Sequence, residues 1–276
     1  MKTKKTRKYF TILLAIAIIL AVILLFWPQK SIAPVTSGDA SLVSNTVTVT
    51  SQSAGEKVEA AVMMYHHIGP LPERADTIRK GLTVSSEELE SQVKYLTENG
   101  YKVMSLVKFN ELRSNSQTPK KLAILTFDDG YDDNFTYALP ILKKYSATGT
   151  FFIISSKIGR KEYMNEDQIK ELVLAGQEIG SHSVNHLELD KLKGQSLERE
   201  LKQSKEDLEK IIGKTVISFC YPAGKYNDET IAKVKEVGYK YAVTTRSSTG
   251  EIDLNNLFEI PRYRISAGRN IEVLLK

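Results

Sequence analysis

From about residue 60 onward, short apolar runs alternate with longer polar and amphipathic stretches. Residues 60–65 are wholly apolar but for the closing Tyr65, the pattern of a strand buried on both faces. Residues 85–99 predict a helix: Ser85 with Glu88 three positions on makes a capping box, and Gly100 is a C-terminal stop. Further strands are predicted over 101–104, 122–126, 150–154, 216–219, 241–244 and 259–265. Helices are predicted around 135–145, over 197–212 with Gly213 at its end, and over 228–237. A helix, a strand and a loop are expected between 165 and 181. Strands separated by helices of this length imply a parallel sheet, and this many imply an α/β barrel. In such barrels the reacting groups gather at the C-terminal ends of the strands.

The amino-terminal pattern is different. Five of the first eight residues are basic (Lys2, Lys4, Lys5, Arg7, Lys8), and residues 9–28 carry no charge and are dense in Ile, Leu and Ala. About 20 apolar residues span a bilayer core, and a basic flank stays cytoplasmic. Residues 1–8 are thus expected to be a cytoplasmic tail and 9–28 a transmembrane anchor, with the remainder outside the cell. Secretion after cleavage near Ser31-Ile32-Ala33 is the alternative, although Pro34 and the length of the run speak against it. Residues 29–57, rich in Ser, Thr, Val and Ala, read as a flexible linker. Residues 58–276 are long enough for one sizeable core.

Charge and cysteine narrow the function. The net charge of +5 lies in the tail: beyond it, 33 basic residues balance 33 acidic ones, and nothing points to nucleic acid. The single cysteine, Cys220, has no internal disulfide partner.

Two segments carry chemistry. Thr126-Phe127-Asp128-Asp129-Gly130 follows one predicted strand, and His182-Ser183-Val184-Asn185-His186 follows another. Each has an ordinary reading: Asp and Gly favour turns, and a His-x-x-x-His pair arises by coincidence. Together they offer two carboxylates and two imidazoles, enough to hold a divalent metal and leave one carboxylate free. Zinc proteases place Glu after the first His; here that position is Ser183, so the base must come from elsewhere, and Asp128 is the obvious supplier. Alternation at the strand end is expected to point Asp128 and Asp129 to opposite sides.

These two segments resemble the first two motifs of the polysaccharide deacetylases (carbohydrate esterase family four), over most of residues 61–264. The resemblance implies a distorted, incomplete (β/α) barrel that removes acetyl groups from sugar polymers. It implies Asp129, His182 and His186 as ligands of one divalent metal, usually zinc, and Asp128 as the base. Two imidazoles and a carboxylate also suit cobalt or nickel. The third motif corresponds to Phe219-Cys220-Tyr221-Pro222-Ala223-Gly224, with Cys220 where an Arg is usual. Tyr221, Pro222 and Ala223 are then expected beside the substrate, with the Ala223 backbone N–H facing the oxyanion. The fourth motif's Trp has no counterpart, since the only Trp is Trp27, and no His follows His186 to serve as the usual acid.

Cleaving an acetamide expels an amine, which requires a general acid. If a histidine supplies it, only His66 and His67 remain. Met64-Tyr65-His66-His67-Ile68 is similar to the N-terminal motif of the branch acting on biofilm poly-N-acetylglucosamine, in which the acid has moved to the first strand. That alignment implies His66 as the acid and leaves His67 a structural role. Arg262 and Arg264 lie two apart on a predicted strand and share a face, so one of them stands to orient Asp128 in place of the missing Arg. The expected enzyme is an N-deacetylase acting on an acetylated polysaccharide. An O-acetyl esterase and an inactive carbohydrate-binding relative are the alternatives. A two-carboxylate glycosidase is disfavoured, because neighbouring Asp128 and Asp129 cannot flank a glycosidic bond. Glycan choice is expected to lie in the loops at 69–81 and 155–163.

Overall fold

β1 (Lys57–Glu59) runs into β2 (Ala61–Tyr65), followed by β3 (His67–Ile68), β4 (Thr83–Val84), β5 (Lys102–Met104) and β6 (Leu122–Phe127). Further along come β7 (Thr150–Ile153), β8 (Glu178–Ser181), β9 (Ser218–Cys220), β10 (Tyr241–Ser247), β11 (Glu251–Asp253) and β12 (Ile260–Arg264). This computed structural model describes residues 57–115 and 117–275. The predicted tail, the anchor at 9–28 and nearly all of the linker lie outside the described residues. Among the described residues no helix is long and apolar enough to cross a membrane.

Seven strands form a parallel ring in the order β2-β12-β10-β9-β8-β7-β6, closed where β6 pairs back onto β2 from Ala61↔Ala123 to Tyr65↔Phe127. β5 lies beside the first half of β6, and β7 takes over the same edge at Thr126 and Phe127. The barrel is therefore incomplete in number, seven strands rather than eight, but its ring is not open. Its distortions are local. β8 and β9 pair only at Ser181↔Phe219, and β10 shifts register against β12 between Val243 and Ser247.

Side chains along each strand alternate between two cores. Val62, Ile124, Phe152, Cys220, Val243 and Ile260 belong to one cluster, and their neighbours Met63, Leu125, Phe151, Phe219 and Ala242 to the other. The second cluster also holds the buried faces of the surrounding helices, among them Leu89, Val93, Leu197 and Leu201. Strands buried on both faces read as unbroken apolar runs, which is why 60–65 and 122–126 stood out.

The helices are α1 (Thr77–Leu82), α2 (Ser86–Glu98), α3 (Leu106–Ser114), α4 (Leu139–Lys144), α5 (Glu166–Leu174), α6 (Gly194–Ile212), α7 (Asp228–Val237) and α8 (Ile271–Leu274). The Ser85–Glu88 capping box is complete in both directions. Gly213 ends α6 at φ 66°, the left-handed conformation that Gly adopts without a side-chain penalty. The helix expected around 135–145 instead begins as a π turn, Asn134–Ala138, before α4. Pro140 explains the change, because it lacks the N–H that a regular ladder needs at that point. The short α1 and α8, the nine-residue α3, and the two-stranded pairs β1–β11 and β3–β4, were not foreseen.

Candidate active site

The ends of β2, β6, β8 and β9 deliver His66, Asp128 with Asp129, His182 and Cys220 to one end of the barrel, while β12 sends Arg262 into it from mid-strand. Asp128 and Asp129 do not diverge as alternation predicted. The strand stops at Phe127, and Asp129 takes φ 74°, followed by Gly130 at φ 80°. Two successive left-handed residues turn the chain back, so both carboxylates approach His182.

Asp128 is buried and gripped by Arg262. Nη1 donates to Oδ1 at 2.7 Å and Nη2 to Oδ2 at 2.8 Å, the two-pronged geometry that suits guanidinium and carboxylate. The other donors are also used: Nε–H bonds the Thr244 carbonyl at 2.8 Å, Nη1 the Thr126 hydroxyl at 2.8 Å, and Nη2 the Cys220 sulfur at 3.3 Å. Burial pushes the Asp128 carboxyl up, but the Arg262 charge and hydrogen bonds outweigh it and hold it below its ordinary value. Burial keeps the Cys220 thiol neutral, a soft acceptor beside the pair. Arg264, at the end of the same strand, is exposed and makes no such contact.

Asp129, His182 and His186 form a three-donor cluster. Nε2 of His182 stands 3.4 Å and Nε2 of His186 3.6 Å from Asp129 Oδ1. Both are longer than a good hydrogen bond. Donors 2.0–2.2 Å from one tetrahedral zinc stand about 3.3–3.6 Å apart, so the spacing fits a shared ion. The other ring nitrogen fits as well: His182 Nδ1 lies 2.8 Å from the Cys220 carbonyl, which only accepts, so Nδ1 carries a proton and Nε2 is the nitrogen turned to the cluster. The two imidazoles are not one helical turn apart. Residues 182–186 form a loop, with Ser183 at φ 61°, His186 at φ 58°, and the His186 N–H donating to Ser183 Oγ at 2.9 Å. The His186 side chain remains about one-third exposed, which leaves the cluster open on one side.

His66 Nε2 lies 3.9 Å from Asp128 Oδ2, and its Nδ1 is buried without a partner among the described residues. Burial lowers its pKa, only partly offset by Asp128 and Asp129. His67 turns away. Its Nδ1 contacts Asp133 Oδ2 at 2.7 Å, Arg79 approaches its Nε2 at 2.8 Å, and its ring stacks on Tyr131. Of the third segment, Tyr221 does not offer its side chain: the ring is buried and the hydroxyl donates to the Phe258 carbonyl at 3.0 Å. Its side chain packs inside the fold. Pro222 is buried too, whereas Ala223 is exposed at φ 51°, a strained conformation for a residue with a Cβ.

Several contributors escaped the sequence reading. Asn134 donates to the His66 carbonyl at 2.9 Å and so fixes the backbone that carries that ring. Tyr131 sits near enough to Asp129 that the carboxylate, added to burial, raises its phenol. The run Tyr131-Asp132-Asp133-Asn134 directly after Gly130 was the available signal, a dense polar stretch at a strand end.

A family model described as polysaccharide deacetylase matches residues 115–242, a span that contains Asp128, Asp129, His182 and His186 but neither His66 nor Arg262. YxkH of Bacillus subtilis (strain 168), named provisionally as a polysaccharide deacetylase, is 33% identical over 208 residues, 75% of this chain and 71% of that protein. A poly-beta-1,6-N-acetyl-D-glucosamine N-deacetylase of Staphylococcus aureus (strain MSSA476) is 29% identical over 68% of this chain and 69% of its own length. Among solved structures, the Streptococcus pyogenes deacetylase PplD in complex with acetate superposes with a TM-score of 0.72 at 30% identity, covering 80% of this chain and 97% of that one. With the site segments inside the family match and a third of the residues shared with YxkH over three quarters of this chain, the chain belongs to the polysaccharide deacetylases, a family of hydrolases.

Proposed function

We propose that the chain is a metal-dependent N-deacetylase acting on an N-acetylglucosamine-containing polysaccharide outside the cell, anchored through residues 9–28. The observation that carries this reading is the juxtaposition of a buried, Arg-clamped carboxylate, a histidine 3.9 Å from it and a three-donor cluster beside both. The S. aureus relative's name supports poly-N-acetylglucosamine as the substrate, with peptidoglycan as the alternative glycan.

Asp129, His182 and His186 would hold the ion, with zinc the best match to the donor set and cobalt or nickel able to replace it. When bound, such an ion lowers the pKa of a water and polarises the acetyl carbonyl. Asp128, kept ionised by Arg262, accepts the proton of the attacking water. The backbone N–H of Ala223 supports the developing oxyanion. The proton taken up by Asp128 passes to His66, whose Nε2 lies 3.9 Å away, and His66 delivers it to the leaving nitrogen.

Incubation of the full chain with poly-β-1,6-N-acetylglucosamine and with peptidoglycan tests this. Acetate release should stop on chelation and return with Zn2+, and Asp128→Asn should lower it by about 10²–10⁴-fold. Absence of release from either glycan by metal-loaded protein contradicts the proposal.

A further inference from the structure

Helix α6 buries Leu197, Glu200, Leu201, Ser204 and Leu208, so its apolar stripe is interrupted by a carboxylate and a hydroxyl. Glu200 is only 3% exposed. Its Oε2 accepts the Asn185 backbone N–H at 2.8 Å and its Oε1 accepts the Asn185 side-chain amide at 2.6 Å. One turn on, Ser204 Oγ meets Ser181 Oγ at 2.8 Å, and a turn further Asp207 Oδ2 accepts from Ser155 Oγ at 3.0 Å. Positions 200, 204 and 207 lie on one helix face. Their partners are not scattered: Ser181 immediately precedes His182, Asn185 immediately precedes His186, and Ser155 N–H donates to the Ser183 carbonyl at 3.2 Å.

The geometry points to Glu200 as a positioning residue for the metal-binding loop, acting through Asn185 to set His186. This inference rests on the metal reading of Asp129, His182 and His186. Burying a carboxylate is unfavourable unless its oxygens are hydrogen-bonded, and here both are spent on a single loop residue. The loop needs such a grip. Ser183 and His186 hold left-handed backbone conformations, which persist only where the surroundings impose them. A purely structural carboxylate would serve overall stability. A positioning one sets how well the His186 Nε2 lone pair meets the ion, and groups that orient metal ligands typically change affinity by about 10–100-fold.

Zinc affinity of the metal-free full chain, measured by competition with a chromophoric chelator alongside metal-free melting temperature, tests this in wild type, E200Q and the double variant N185D/E200Q. Wild type should bind one equivalent, and E200Q should bind about 10–100-fold more weakly, because the introduced amide faces one of the two Asn185 donors. The double variant should recover most of that loss: the introduced aspartate accepts from the introduced glutamine, whose carbonyl oxygen takes the backbone N–H of position 185. Equal affinity in wild type and E200Q overturns the assignment, as does a loss that the double variant fails to recover. If E200Q does not fold, N185A removes the side-chain half of the contact from the loop side, leaving only the backbone N–H on Glu200, and unchanged affinity there overturns it equally. A wild-type chain that binds no zinc removes the metal reading itself, which a difference between variants does not.

Discussion

Arg262 has all five donor hydrogens engaged and is 1% exposed, so it cannot be exchanged for another cation without loss. A lysine carries one compact charge and cannot reproduce the fork. Arg262→Met leaves Asp128 buried and unpaired, which should cost about 3–5 kcal/mol in urea unfolding. Arg262→Lys should retain more stability yet still lower acetate release. A wild-type unfolding midpoint in Arg262→Met would contradict the role given to this pair. Strand parity assigned Arg262 and Arg264 to one face but could not choose between them. Parity fixes a direction, whereas depth along the barrel separates a buried clamp from an exposed arginine at the mouth. The placement of Asp129 was illegible for a related reason: its carboxylate is aimed by a φ of 74°, and nothing in Asp-Asp-Gly specifies which residue leaves the strand first.

The elements most legible in the sequence were those with a long period or a complete cap: α2 through its capping box, α6 through its length and Gly213, and β2 and β6 through their apolar runs. β1, β3, β4 and β11, of two or three residues each, have no period to detect, whereas the equally short β5 and β9 overlap the strands predicted at 101–104 and 216–219. Glu178, the first residue of β8, was also passed over. It is buried, with its oxygens taken by Ser218 Oγ, by Thr150 Oγ1 at 2.8 Å and by the Val107 N–H at 2.8 Å. Burial pushes its carboxyl above the usual range, and the hydrogen bonds offset this only in part. Its folded pKa thus exceeds the unfolded one, so the unfolded chain releases this proton first as pH rises. The native state loses stability between those two values, beginning near the unfolded value of about 4.3. Glu178→Gln does not titrate. Its stability relative to wild type should therefore rise between pH 4 and pH 7 in chemical unfolding, and a difference that stays flat or falls over that range would contradict the assignment.

At the scale of the molecule, a ring of seven parallel strands gathers groups from residues 66, 128–129, 182–186, 220 and 262 at one end. The order of strands and helices made the barrel readable, and the barrel rule supplied the convergence. The closing of the ring between β2 and β6 was not readable, because it depends on how many strands the helices can surround. That closure has a functional consequence: β2 lies directly beside β6, which brings His66 next to Asp128, although 62 positions separate them in sequence. The central claim is that an acid on β2 and a base after β6 serve one amide cleavage. Esters expel a better leaving group and depend less on an acid. The decisive measurement is the rate of acetate release by the metal-loaded His66→Ala chain from an N-acetylated and from an O-acetylated glycan. The expected result is a loss of about 10²–10⁴-fold on the amide and a much smaller one on the ester. Undiminished amide cleavage would contradict it.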